Sequence, residues 1–254
     1  LLSRLDPNVP HYIGSPVGDY RARFAHGGSG VLLSRATLNT IFPQSSSSSD
    51  PGKALSAKVY RDALTIPWGD RLIAQACQRR GVYLDEGYAR LFSGEPPLMT
   101  RIEEMRLCQP ALSFHKLGEP DAMREVGERF RNVSAESTGP VLWKDLWQAY
   151  YGQAAPWKRV RDAASLDGRK HWDYVGDVGP GDEDVKYDRP VLSAQRCAQL
   201  CDLKDDKCLA WRWDGDTGQC FVSPWLMLGR PAGESVVSGV NTPRLRRAEE
   251  KCWG

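Results

Sequence analysis

HYIGSPVGDYRARFAHGGSGVLLSR, residues His11 to Arg35, is the stretch on which the reading of this chain turns. His11-Tyr12-Ile13-Gly14 predicts a short strand, and Ser15-Pro16 predicts the turn that ends it. His26-Gly27-Gly28-Ser29-Gly30 follows, where glycines let backbone N–H groups approach a ligand and permit positive φ. Val31 to Phe42 then reads as an apolar helical stretch. The Gly-rich run has neither the lysine of a P-loop nor the spacing of a dinucleotide fingerprint. It is not a nucleophile elbow either, because Val31 stands where the second glycine belongs, and this disfavours a Ser-His-Asp hydrolase. The plain alternative is a tight strand-to-helix turn.

Upstream, Leu1 to Leu5 reads as the end of a helix stopped by Asp6-Pro7. Downstream, Gln44 to Gly52 reads as a solvated loop through its run of serines. The spacing predicts a helix from Asp70 to Arg80, with Leu72, Ile73 and Ala76 on one face and Gly81 ending it. Val82-Tyr83-Leu84 and Ala111 to His115 read as short strands. Asp121 to Arg131 is amphipathic, with Met123, Val126 and Phe130 as its apolar stripe. Val141 to Tyr151 reads as an aromatic-rich helix or connector. These elements predict an α/β first domain over residues 1–152 and a linker over 153–164. A small α+β domain follows over 165–254, with a helix from Ser193 to Leu203 among the strands Trp172–Val175, Cys208–Trp213 and Cys220–Val222.

The composition narrows the function. With 254 residues, 41% of them hydrophobic, and nine Trp, the chain can bury a core. A net charge of +2 from nearly balanced acids and bases argues against nucleic acid as a partner. No apolar run is long enough to span a membrane, no signal peptide is present, and any anchor is expected upstream of Leu1. Cys197, Cys201, Cys208, Cys220 and Cys252 crowd the last part of the chain, which predicts a disulfide framework in an oxidising compartment. Zinc is the alternative, but the spacing offers no CxxC pair. Asn132-Val133-Ser134 is a sequon, consistent with a secretory location. Cys77 and Cys108 are open to pairing with each other, and Cys252 has no obvious partner.

The 11–35 string resembles the Y-I-G-S … F-A-H-G-G-x-G-x-x-L-S-R segment of fringe-like beta-1,3-glycosyltransferases, above all the fungal ones. Ile66-Pro67-Trp68-Gly69-Asp70 and Leu112-Ser113-Phe114-His115 follow in the order that family has them. The resemblance implies the C-terminal half of a GT-A fold. It implies inverting transfer of a galactose-like or N-acetylglucosamine-like unit from a UDP-sugar donor to a glycan or glycoprotein hydroxyl. Manganese or another divalent cation would assist, in the Golgi lumen or another part of the secretory pathway. The family's acidic DxD triplet is expected just before Leu1; Asp182-Glu183-Asp184 lies in the tail. The segment Cys197-x3-Cys201-x6-Cys208-Leu-Ala-Trp-x-Trp with Gly218-Gln-Cys220 resembles PAN/apple modules. That likeness implies the nested pairs Cys197–Cys220 and Cys201–Cys208. The runner-up function is a non-catalytic glycan- or protein-binding protein acting through that module.

By this resemblance Asp70 is the catalytic base that takes the acceptor hydroxyl's proton; a helix N-cap asks for the same residue type at the same place. His115 is the metal's nitrogen ligand, or a hydrogen-bonded His at a strand end. His26, Gly27, Gly28 and Gly30 would line the donor sugar beside Gly69. Trp68 would stack on a sugar ring or serve the core. Trp211 and Trp213 alternate along one strand and so face one way, as core or as a binding platform.

Overall fold

The computed structural model describes residues 5–19, 23–42, 51–136, 139–151, 168–179, 181–182, 185–204 and 207–253. It is a mixture of helices and small antiparallel sheets with three disulfides. The chain divides into two compact units, one of residues 1–95 with 111–117 and the other of 96–110 with 118–254. Segments 96–110 and 118–151 thus pack with the tail, whereas the sequence reading grouped them with the first domain. The expected linker and the helix end before Leu5 lie outside the described residues.

In the first unit, β1 (Tyr12–Gly14) leads through β2 (Pro16–Val17) and β3 (Phe24–Ala25) to β4 (Val31–Leu33), then α1 (Arg35–Ile41). β1 pairs with β4 and β2 with β3. Val31 to Leu33 is therefore strand rather than the start of a helix: it completes a ladder with Tyr12–Gly14, a distant pairing that local apolarity cannot reveal. The helix begins after Ser34, whose Oγ accepts from the Thr37 N–H at 3.1 Å. α2 (Pro51–Ala63) starts inside the stretch expected as loop; the serines before it lie outside the described residues. α3 (Gly69–Gln78) stops two residues short of the expected Arg80, and Gly81 follows at φ +73°. Two expected strands do not form. Among the described residues, Val82 to Leu84 joins no ladder, Val82 instead donating to the Cys77 carbonyl at 3.0 Å, and from Ala111–His115 only Ser113 bridges, to Phe92. The core gathers Tyr12, Ala25, Ile41, Ala74, Cys77 and Val82, so α1 and α3 cover the strands on either side of the Gly-rich turn.

The second unit opens with β5 (Ile102–Glu103), α4 (Glu104–Leu107), α5 (Pro120–Glu136) and α6 (Trp143–Tyr151). Val126 and Phe130 of α5 are half-buried while Met123 is exposed, so the expected apolar stripe is shorter by one residue. Next come β6 (Arg169–Lys170), β7 (Trp172–Asp173), α7 (Ala194–Leu203), β8 (Ala210–Asp214) and β9 (Gln219–Ser223). β10 (Trp225–Leu226), β11 (Arg230–Pro231), β12 (Val236–Val240) and α8 (Thr242–Glu250) complete it. The sheet runs β6-β12-β8-β9, with Trp211 opposite Val222 on one side and Gly239 on the other. A Cβ on Gly239 would stand 2.7 Å from the Trp211 indole, so the missing side chain is what lets the ring lie flat. Ser193 caps α7, and Cys197 joins it to Cys220 on β9 while Cys201 joins it to Cys208. Trp211 is buried and Trp213 half-buried; both serve the core here, Trp213 donating from Nε1 to the Val191 carbonyl at 2.8 Å. Cys108 pairs with Cys252, the open question of the sequence reading, and leaves Cys77 free and buried.

Asp173 is the electrostatic centre of this unit. Its carboxylate is almost fully buried, and it accepts from the Val175 and Gly176 N–H groups at 2.9 Å each and from Arg212 at 2.9 Å. Desolvating a carboxylate is tolerable only with this many donors around it.

Candidate functional site

Within the first unit the Gly-rich turn, the start of α3 and the segment around His115 come together, three pieces far apart in sequence. Gly27–Ser29 forms a single 3-10 turn, held because Gly30 takes φ +94° and returns its N–H to the Gly27 carbonyl at 3.0 Å. The turn is anchored to the β2–β3 hairpin by the His26 N–H on the Ser15 carbonyl at 2.8 Å.

Asp70 lies in the first turn of α3 but is not its N-cap. Trp68 takes that position, without a side-chain hydrogen bond. One carboxylate oxygen of Asp70 accepts from its neighbour Arg71 N–H at 2.8 Å, and the other from the Gly27 N–H at 2.9 Å. The helix N-terminus adds a favourable field for a negative charge. The carboxylate thus serves two partners, its own helix through Arg71 and the Gly-rich turn through Gly27, and is held in one orientation.

His115 closes the other flank. A Cβ placed on Gly28 would lie 2.1 Å from His115 Nε2, so only a glycine lets the imidazole rest against the turn. The rings of His26 and His115 stand 4.6 Å apart at 54°. His26 Nδ1 is buried without a hydrogen-bond partner among the described residues, a polar atom left without an acceptor or donor in the middle of the cluster. Ser113 donates from Oγ to the Ser29 carbonyl and ties the His115 segment to the turn.

Trp68 is 58% exposed, next to Asp70, with the Arg71 guanidinium 6.0 Å from its ring. It is therefore not a core residue. Gly69 has open space where its Cβ would be. Asn132 is exposed on α5, a helical rather than a loop setting for the sequon.

Sequence reasoning missed two contributors. Ser113 sits inside the Leu112–His115 block, and its spacing from His115 was the available signal. Tyr12 lies beneath the turn, its hydroxyl accepting from the Ala25 N–H at 2.8 Å, with burial pushing the phenol up to about 12.

Manganese asks for several, mostly oxygen, ligands. Among the described residues no three ligating side chains converge, and Asp70, the carboxylate of the cluster, already has each oxygen on a backbone amide. The described residues alone do not fit a manganese centre. Among them, no helix is long and apolar enough to cross a membrane. Three disulfides place the chain in an oxidising, secreted or lumenal setting. Comparison of the chain with known protein families, curated proteins and solved structures finds no match.

Proposed function

We propose that the first unit is the acceptor-side wall of a GT-A-type, fringe-like inverting glycosyltransferase. Asp70 would be its general base, and the second unit would carry a PAN/apple-like module. The observation that supports this reading best is the fixed Asp70 carboxylate facing the Gly-rich turn, with His115 against that turn. In the reaction an acceptor sugar hydroxyl gives its proton to Asp70 as its oxygen attacks the anomeric carbon of the donor. The bond to the UDP oxygen breaks on the opposite face, and the configuration inverts. A carboxylate whose orientation is set by two backbone amides needs no rearrangement to receive that proton. Trp68, exposed beside it, offers a flat apolar surface to a pyranose ring. Glycines 27, 28 and 30 keep side chains out of the donor's path.

Were a divalent cation bound with the donor diphosphate, His115 is the residue that would lend it a nitrogen, and the cation would supply charge neutralisation at the leaving group. Golgi residence and a glycan or glycoprotein acceptor belong to the same proposal.

The test is UDP release from UDP-galactose and UDP-N-acetylglucosamine by the protein, with manganese and a glycan acceptor. Asp70→Asn is expected to lower turnover by at least about 100-fold while UDP binding is retained. Turnover preserved in Asp70→Asn would overturn the base assignment. Leu192, just before α7, and Leu203, its last residue, 96% and 76% exposed, favour a second reading in which the module binds a protein or glycan. That reading is left standing if no UDP-sugar is turned over.

A further inference from the structure

The three disulfides of the second unit differ in what can reach them. Cys197 and Cys201 of α7 and their partners Cys220 and Cys208 are between 0% and 1% exposed and lie in the core. Cys108 and Cys252 are half-buried, and Cys108 lines an open cavity of about 470 Å³ together with Glu103, Glu104, Met105, Arg244 and Lys251. Thiol–disulfide exchange needs an entering thiolate at one sulfur and a leaving sulfur that tolerates negative charge. The cavity supplies the approach. Lys251 adjoins Cys252 in sequence, and Arg244 and Lys251 both donate to Glu104 at 2.8 Å, so cationic groups edge the site without leaving it strongly charged.

We propose that Cys108–Cys252 is a thiol–disulfide exchange site, opened through this cavity by a dithiol while the two α7 disulfides stay closed. A thiolate of the dithiol attacks Cys108 Sγ. The Sγ–Sγ bond breaks and Cys252 leaves as a thiolate, taking a proton from solvent. The dithiol's second sulfur, as thiolate, then attacks the mixed disulfide at the dithiol's own first sulfur, and Cys108 departs as a thiolate that is protonated in turn. Two electrons pass to the cysteines, and the dithiol ends as its cyclic disulfide. What is released is the C-terminal turn Lys251–Trp253. α8 stays in place, because Leu245 and Ala248 are buried, Asn241 caps the helix at the Arg244 N–H, and Arg244 holds Glu104. Opening is thus local, and it frees one end of a covalent loop with a sequence separation of 144.

The experiment is brief treatment of the native protein with dithiothreitol, quenching with N-ethylmaleimide and peptide mapping. Cys77, free and buried in the first unit, reports opening of that unit by becoming labelled, and the four core cysteines report opening of the second. With Cys77 unlabelled, Cys108 and Cys252 should react at least tenfold faster than Cys197, Cys201, Cys208 and Cys220. A smaller ratio, or labelling of all six in step, overturns the proposal. In a Cys108→Ser/Cys252→Ser double variant the fast phase should vanish, and its persistence would overturn it equally.

Discussion

Glycine 28 offers a measurement of whether the cluster in the first unit is a site or a coincidence of packing. In Gly28→Ala the new Cβ would stand 2.1 Å from His115 Nε2, 2.3 Å from Cδ2 and 2.7 Å from Cε1, where 3.4 Å and above is ordinary contact. The imidazole must withdraw by more than about 1 Å, and because it is the free end of a side chain it can do so. Overpacking of this kind costs about 1–2 kcal/mol when a side chain yields. If the cluster is the catalytic wall proposed above, the larger effect falls on geometry: displacement on this scale costs about 100-fold in turnover. Gly27→Ala is a milder version, its Cβ 3.2 Å from the Asp70 Cβ. Gly127→Ala is the control, with nothing within 4 Å and a position inside α5 where Ala improves on Gly by about 0.5–1 kcal/mol. Urea unfolding gives the stability term, nitrogen-detected NMR of the imidazoles gives ring position, and UDP release gives function. Gly28→Ala should shift the His115 and His26 signals and abolish most turnover, whereas Gly127→Ala should leave both in place. Unmoved imidazole signals in Gly28→Ala would refute the packing of His115 on the turn, and with it the site.

Two further outcomes concern the second unit. Asp173→Ala should destabilise it by about 3–5 kcal/mol, because Arg212 loses its buried partner and two backbone N–H groups lose their acceptor; a urea midpoint within error of the wild type would refute this. The Lys251 hydrogen bond, helped by Arg244 and opposed by burial, holds the Glu104 carboxyl below the usual glutamate range. A depressed folded value means its contribution is complete above the ordinary glutamate pKa of about 4.3 and fades as acid reaches the lower folded value. Glu104→Gln should therefore flatten the fall in melting temperature on acidification below about pH 4.5. An unchanged slope would refute the ion-pair origin.

How far the chain could be read in advance depended on how local its determinants were. α7 and the β8–β9 hairpin were legible. Cys197 and Cys201 lie one helical turn apart, Trp211 and Trp213 alternate, and Gly218 supplies the turn at φ +68°, all within short windows. Val31–Leu33 and Val82–Leu84 were not, since three apolar residues carry no usable period. The first became a strand because Tyr12–Gly14 pairs with it, and the second joins no ladder among the described residues. Cys108 and Cys252 are 144 apart, so no spacing rule could join them.

Asp70 shows the same limit at the level of one side chain. Its place at the start of a helix was legible, but a cap and a base ask the sequence for the same residue. What the sequence does not carry is the acceptor geometry: one oxygen of this carboxylate serves its own helix through Arg71, and the other serves Gly27, 43 positions earlier in the chain. The bond to Gly27 fixes the turn, the turn requires Gly28 to be without a side chain, and the space that leaves is filled by His115. Each member of the cluster thus sets the position of the next. A substitution at Gly28 should therefore be read out at His115 and at Asp70 together, and a response at only one of them would mean that the three segments adjoin without acting as a unit.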